Sequence, residues 1–293
     1  MHDWLEHQEK LARVAKAQLF FVGGAPRSGT TWLQHLLNSH PEICCGSESL
    51  FMKHLAAPLD KMMAERRDVL AEKYKTVFRD FSNLPLPEPD QTDHLVGTAI
   101  LLALEQQSRG RDYRAIGEKT PENVFFFSRL KGIFPHAKLI VIARDPRDVL
   151  SSAWHYFQKA QHGKDEQAAK IAFIRLALPS LQQGARVTLE LAERYKSDCH
   201  VITYEQLHAT PEVVAAGLFH FLKVADGTEI VAECIAKTSF TSFSGGRPAG
   251  VARDDSFFRK GIVGDWRSTF SPEMSDLILA DLGWLFPHFG WQK

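Results

Sequence analysis

Cysteine is scarce in this chain: 293 residues hold four, Cys44, Cys45, Cys199 and Cys234. Two of them are adjacent, and no C-x-x-C pair or Cys/His cluster accompanies them. That spacing excludes a disulfide framework and an ordinary zinc site, and leaves free thiols in a reducing cytosol as the expectation. Net charge is lacking as well, because 35 Lys and Arg balance 35 Asp and Glu. General nucleic-acid and membrane-surface binders carry a basic excess, so any anion site here is built from a few local cations. Apolar runs of membrane-spanning length are absent. The first residues, "MHDWLEHQEKLARVAKAQ", contain acids and no apolar signal core, so the chain reads as cytoplasmic and complete. Repeats, low-complexity tracts and acidic metal-binding clusters are missing too.

What is present is a globular composition, 44% apolar and 24% charged, with enough length for one large domain or two ordinary ones. "LFFVGG" (19–24) has strand character and stops at two glycines; Trp32, Leu33, Leu36 and Leu37 then recur with helical spacing until "NSHP". "KLIVIARD" (138–145) is a continuous apolar run of buried-strand type, followed by Pro146 at a first helical position with Asp145 as cap. Val149, Leu150, Ala153, Trp154 and Phe157 form the expected buried stripe of that helix. "CHVITYEQL" (199–207) reads as a third strand before a helix at 211–224, and "YRAIGEKT" (113–120) as a short fourth. Residues 50–80 look like a solvated helical cap, and "NLPLPEPDQTD" (83–93) like a surface linker. The expectation is an α/β fold: one domain over 1–293, with a P-loop-like parallel sheet flanked by helices. In such sheets ligands bind at the carboxyl ends of the strands. Those ends carry "GGAPRSGTT", "GEKT", "ARDPRD" and "TYEQ".

From Gly24 to Thr31 the chain reads G-x-x-x-x-G-T-T, close to the P-loop pattern G-x-x-x-x-G-K-[ST]. Such a turn presents backbone N–H groups to a phosphate at a helix N-terminus. Thr30 stands at the lysine position, and the cation, Arg27, lies three residues earlier. A nucleoside triphosphate with magnesium is poorly served by that exchange. A single phosphate with a less charged group beyond it fits better.

Here the sequence resembles the sulfotransferases that use 3′-phosphoadenosine 5′-phosphosulfate (PAPS). "PRSGTTWL" (26–33) is similar to their 5′-phosphosulfate loop, "RDPRDVLSSAWHYF" (144–157) to their second signature, and "FFRKGIVGDWRSTF" (257–270) to their third. The resemblance implies that Arg27, Ser28, Gly29, Thr30 and Thr31 hold the 5′ end of the nucleotide. It implies that Arg144 and Ser152 hold the 3′-phosphate, with Arg259, Lys260 and Gly261 closing on it; guanidinium suits bidentate phosphate contact. Trp32 and Phe240 match adenine-stacking positions and Tyr204 a nucleoside contact. Core packing is the alternative for Trp32 and Phe240.

Sulfuryl transfer needs a base for the acceptor, cations for the sulfuryl oxygens and a donor to the leaving phosphate. Cytosolic members carry a histidine two residues after a lysine; here Lys119 is followed by Pro121 in "EKTP", so that base is gone. Glu48, in "CCGSESLF", falls where tyrosylprotein sulfotransferases place a catalytic glutamate. The spacings from Arg27 to Glu48 and from Lys119 to Arg144 are similar to that subgroup's. The implied roles are Glu48 as general base, with Lys119 and Arg27 stabilising charge; His155 and His40 are the other candidate bases. The implied co-substrate is PAPS, with adenosine 3′,5′-bisphosphate (PAP) as product and no metal. Residues 51–112 are expected to wall the acceptor site. The expected acceptor is a small-molecule or carbohydrate alcohol rather than a peptide tyrosine, because 53–80 lacks a clear positive rim. Arg267, Phe270, Ser271, Pro272 and Asp276 loosely resemble the family's dimerisation motif, which makes a homodimer conceivable. The competing readings are a P-loop nucleotide kinase-like phosphotransferase and a non-catalytic nucleotide-binding module.

Overall fold

The computed structural model describes residues 4–78, 86–157, 166–253, 256 and 258–293. Five strands form one parallel sheet: β1 Gln18–Gly24, β2 Ile43–Gly46, β3 Ala115–Lys119, β4 Lys138–Ala143 and β5 Cys199–Thr203, in the order β2-β3-β1-β4-β5. Because successive strand residues face opposite sides, the apolar run of β1 serves two cores at once. Phe20 and Val22 join Ile140, Ile142 and Ile202 under the helices Thr30–Ser39, Pro211–Phe221 and Thr228–Lys237. Leu19 and Phe21 join Ile116, Leu139 and Val141 against Val14, Val96, Ile100 and Leu104 on the other face. Burying each such side chain contributes about 1.5–3 kcal/mol. A third cluster, around Leu150, Ile174, Met274, Ile278 and Phe286, packs the helices Pro146–Phe157, Glu166–Arg194 and Pro272–Leu282 together.

Four details differ from the sequence reading. β2 is a fifth strand, formed by "ICCG" right after the first site helix, and its two cysteine side chains are buried rather than in a loop. β5 stops at Thr203: its hydroxyl accepts the Gln206 amide while the Gln206 side chain accepts the Thr203 amide. This capping box turns Tyr204 onwards into the helix Tyr204–Ala209. Phe157 leaves the buried stripe and is 64% exposed. Of the linker expected at 83–93, residues 83–85 lie outside the described residues, and 89–93 open the helix Pro89–Ser108. No residue of the helix Ala57–Thr76 is buried. It is tied to the body by Arg129, whose guanidinium meets Asp60 at 2.6 Å and Asp93 at 2.7 Å.

Beside β4 lies a buried ion pair. Asp145 caps the helix Pro146–Phe157 by accepting the Arg147 amide at 2.9 Å and pairs with the Arg147 guanidinium at 2.7 Å. Arg147 also donates to the carbonyl of Gln292 and lies over the Trp266 and Phe286 rings. Removing one partner of a buried pair leaves the other charge uncompensated. Arg147→Ala should therefore destabilise the fold by about 3–5 kcal/mol. A denaturant midpoint that barely moves would show that the pair is not needed.

Candidate active site

The three strand ends β1, β3 and β4 deliver their polar residues to one rim. At β1 the chain turns through 25–29 into the helix Thr30–Ser39. The turn needs left-handed backbone at Arg27 (φ 72°) and Gly29 (φ 102°). For a non-glycine residue such a conformation costs about 1–3 kcal/mol and is a feature of functional loops. A Cβ on Gly29 would approach the Tyr204 ring to 2.6 Å, so glycine is required there on two counts. Ser28 is fully buried, and its Oγ has no hydrogen-bond partner among the described residues.

Arg144, just past β4, ties three segments together. Its Nη1 donates to the carbonyl of Arg27 (3.2 Å), its Nη2 to the carbonyl of Ile262 (3.0 Å), and its guanidinium lies 4.1 Å from the centre of the Tyr204 ring. Its Nε is buried, with no partner among the described residues. Tyr204 meets Trp32 edge to face at 5.5 Å, and Trp32 Nε1 donates to the carbonyl of Thr238. The Arg27 guanidinium turns the other way: Nε donates to Ser152 Oγ (3.3 Å), and the ring of Tyr156 lies 4.5 Å away. Burial pushes the Arg27 guanidinium below its ordinary pKa, with Arg144 and Arg259 as further causes.

The third segment closes the opposite wall. Asp148 accepts the amides of Gly264 (2.7 Å) and Trp266 (3.0 Å), which anchors the turn after Ile262. Arg259 and Lys260 both pair with the buried Asp265, Lys260 at 2.6 Å. Gly261 has φ 65°, and a Cβ there would run into the Phe240 ring. Between these walls lies a cavity of about 510 Å³. At its β3 side, Lys119 is almost fully buried and its Nζ meets Glu48 Oε1 at 2.6 Å and Thr31 Oγ1 at 3.5 Å. The Glu48 side chain is 49% exposed, so the carboxylate is half open to whatever enters.

A model of the Sulfotransferase family matches residues 20–227. The chain belongs to the sulfotransferase family. It is 26% identical over 208 residues to zebrafish (Danio rerio) protein-tyrosine sulfotransferase 1, covering 70% of this chain and 53% of that protein. It is 27% identical over 280 residues to cytosolic sulfotransferase 12 of Arabidopsis thaliana, covering 86% of this chain and 72% of the relative. The chain spans about half the length of the protein-tyrosine sulfotransferases it matches. Its fold is shared with a mouse sulfotransferase complexed with PAP (TM-score 0.56, 18% identity, covering 95% of this chain and 88% of that one). It is also shared with a retinol dehydratase in complex with androsterone and inactive cofactor PAP (TM-score 0.51, 17% identity, covering 98% and 87%).

In this family member the cavity is lined by Arg27, Gly29, Thr30, Thr31, Trp32, Glu48, Arg144, Ser152, Tyr204, Phe240, Arg259, Lys260 and Gly261. Ser28 is buried between Arg27 and Gly29, and Lys119 is bonded to Glu48 and Thr31 of that lining. Two placements go beyond the sequence reading. Arg27 and Ser152, assigned to opposite ends of the nucleotide, touch each other, so the two anion sites are contiguous. No described residue of 51–112 lines the cavity; Pro121, Glu122, Tyr156 and Phe157 stand there instead. Tyr156 and Phe157 sit inside the second signature, but helical spacing alone assigned Phe157 to the core. Neither candidate histidine base, His40 or His155, lines the cavity. His40 is buried, with Nε2 at 2.8 Å from the carbonyl of Ala225, and His155 Nε2 lies 3.2 Å from Thr269 Oγ1. Phe270 is buried in the third core cluster, and Ser271 caps the helix Pro272–Leu282, so these two residues of the dimerisation-like segment serve the chain itself.

Among the described residues, no group of acids, histidines and cysteines could hold a metal ion, and no helix is long and apolar enough to cross a membrane.

Proposed function

We propose that this sulfotransferase moves a sulfuryl group from PAPS to an acceptor hydroxyl, with Glu48 as general base. The observation that carries the reading is the ion pair of Lys119 and Glu48 at 2.6 Å, set beside Thr31 on the phosphate-type loop. The residues present fit a nucleotide with two anionic ends. Among the described residues, Ser28 Oγ and Arg144 Nε are buried polar atoms without partners, one on each anion site, and a bound anion is one way to satisfy them. The loop 27–31 would hold the 5′ end; Arg144, Ser152, Arg259, Lys260 and Gly261 would hold the 3′-phosphate. Trp32, Phe240 and Tyr204 would flank the nucleoside. PAPS supplies an activated sulfuryl group on its 5′-phosphate.

The chain's own residues do the rest. Lys119 engages one carboxylate oxygen of Glu48 and fixes its direction. The second oxygen is left to take the acceptor proton. Lys119 and Arg27 are the cations that offset charge near the loop, where burial strengthens their effect.

The acceptor in this reading is a small-molecule or carbohydrate alcohol. Among the described residues, four carboxylates line the cavity: Asp148 and Asp265 are bound by the third segment, and the other two are Glu48 and Glu122. These two would repel the acidic surroundings of a peptide tyrosine acceptor. Four buried, unpaired cysteines suit a cytoplasmic setting.

Nucleotide binding should raise stability without a metal. At about 100 times its dissociation constant, PAPS or PAP should add ~2.7 kcal/mol. Thermal melts in EDTA measure it. A shift that needs ATP and magnesium would instead favour the kinase-like reading.

A further inference from the structure

Glu118 is a charged residue at the heart of the sheet. It lies on β3, is 0% exposed, and pairs in register with Gly46 of β2. Its neighbour Lys119 points to the opposite face, as successive strand residues do. Yet both reach the same segment, 48–50, which leaves β2 and carries Glu48. Lys119 holds the Glu48 carboxylate. Glu118 Oε2 accepts the Ser49 amide at 3.4 Å and the Thr120 hydroxyl at 2.8 Å. Thr120 Oγ1 in turn accepts the Leu50 amide at 3.4 Å. Glu118 Oε1 accepts Asn123 Nδ2 at 2.6 Å, and the same Nδ2 donates to the carbonyl of Val22 on β1. Leu50 is left-handed (φ 52°), a conformation that a leucine keeps only when its surroundings impose it.

We propose that Glu118 is a positioning residue: with Thr120 it fixes the amides of Ser49 and Leu50, and so sets the Glu48 carboxylate against Lys119. The inference rests on the reading of Glu48 as the base. A carboxylate suits the task because every group that meets it is a donor. Burial holds the Glu118 carboxyl above its ordinary pKa, and the bonds from Asn123, Thr120 and the Ser49 amide, with the charge of Lys119, offset only part of that push. A glutamine of the same shape would turn an NH₂ towards either Asn123 or the Ser49 amide, and one bond of the set would be lost.

The test compares Glu118→Gln, Thr120→Val, Glu48→Gln and the double variant E48Q/E118Q. The probe is labelled PAPS with water as acceptor, read beside amide hydrogen exchange on the whole chain. Glu118→Gln should lower turnover about tenfold or more, leave KM for PAPS within about twofold, and speed exchange in 47–50 while the strands stay protected. Thr120→Val, the milder change, should do the same more weakly. Because Glu118 acts through Glu48, the double variant should be no slower than Glu48→Gln alone. If Glu48→Gln is slow but Glu118→Gln turns over at the parental rate, or if the two losses multiply, the positioning role is wrong and the base stands. Parental turnover by Glu48→Gln overturns the base reading, and with it this inference.

Discussion

Glu48→Gln should lower sulfuryl transfer by about 10²–10⁴-fold and leave nucleotide affinity nearly unchanged. The substitution keeps the shape and one oxygen for the Lys119 ammonium, which meets Glu48 Oε1 at 2.6 Å. What it removes is the ability to take a proton. Lys119 is almost fully buried, whereas the Glu48 side chain is half exposed, so the acidic partner of the pair is the one an acceptor can reach. The alternatives are poorly placed. Pro121 occupies the position of the cytosolic histidine base, His40 is buried against the carbonyl of Ala225, and His155 meets Thr269. The measurement is single-turnover transfer from labelled PAPS beside calorimetric binding of PAP. Lys119→Ala should also slow transfer and should weaken nucleotide binding as well, because its Nζ reaches Thr31 on the loop. A Glu48→Gln enzyme with parental turnover would move the proton transfer to another group, and Glu122, which also lines the cavity, would be the next to test.

Much of this site was legible in the sequence because its parts are local. A glycine-rich turn between an apolar strand and an amphipathic helix is written within 19–38, and Pro146 with Asp145 within two residues. These signals are steric and need no knowledge of the rest of the chain. What escaped depends on longer range or on competing local rules. β2 has four residues, too few for any period, and is made a strand by pairing with β3. Tyr204 reads as strand by apolar continuity, but the capping box at Thr203 wins. Phe157 fits helical spacing with Trp154, yet among the described residues its ring is largely exposed and lines the cavity. Glu118 had one visible signal, an acid inside a strand otherwise buried. Its partners at 49, 120 and 123 become partners only once β2 lies beside β3.

Arg144→Ala should weaken binding of PAP by roughly 10–100-fold and binding of adenosine 5′-phosphate by much less. A charge-assisted hydrogen bond contributes about 1.5–3 kcal/mol, and each 1.4 kcal/mol is a factor of ten. Arg144 is nearly buried, its two Nη atoms are committed to the carbonyls of Arg27 and Ile262, and its Nε is a buried donor with no partner among the described residues. Desolvating that guanidinium has a cost that an anion at Nε would offset. Asp148 Oδ2 lies 3.8 Å from Nη2 and is itself held by the amides of Gly264 and Trp266. The substitution therefore does two things. It removes a phosphate donor, and it loosens the clasp between the loop 25–28 and the segment at Ile262. The first effect depends on the 3′-phosphate and the second does not. Titrating both nucleotides by calorimetry separates them. Equal losses for the two ligands would mean that Arg144 organises the walls and that the 3′-phosphate is carried by Arg259 and Lys260, which would first have to leave Asp265.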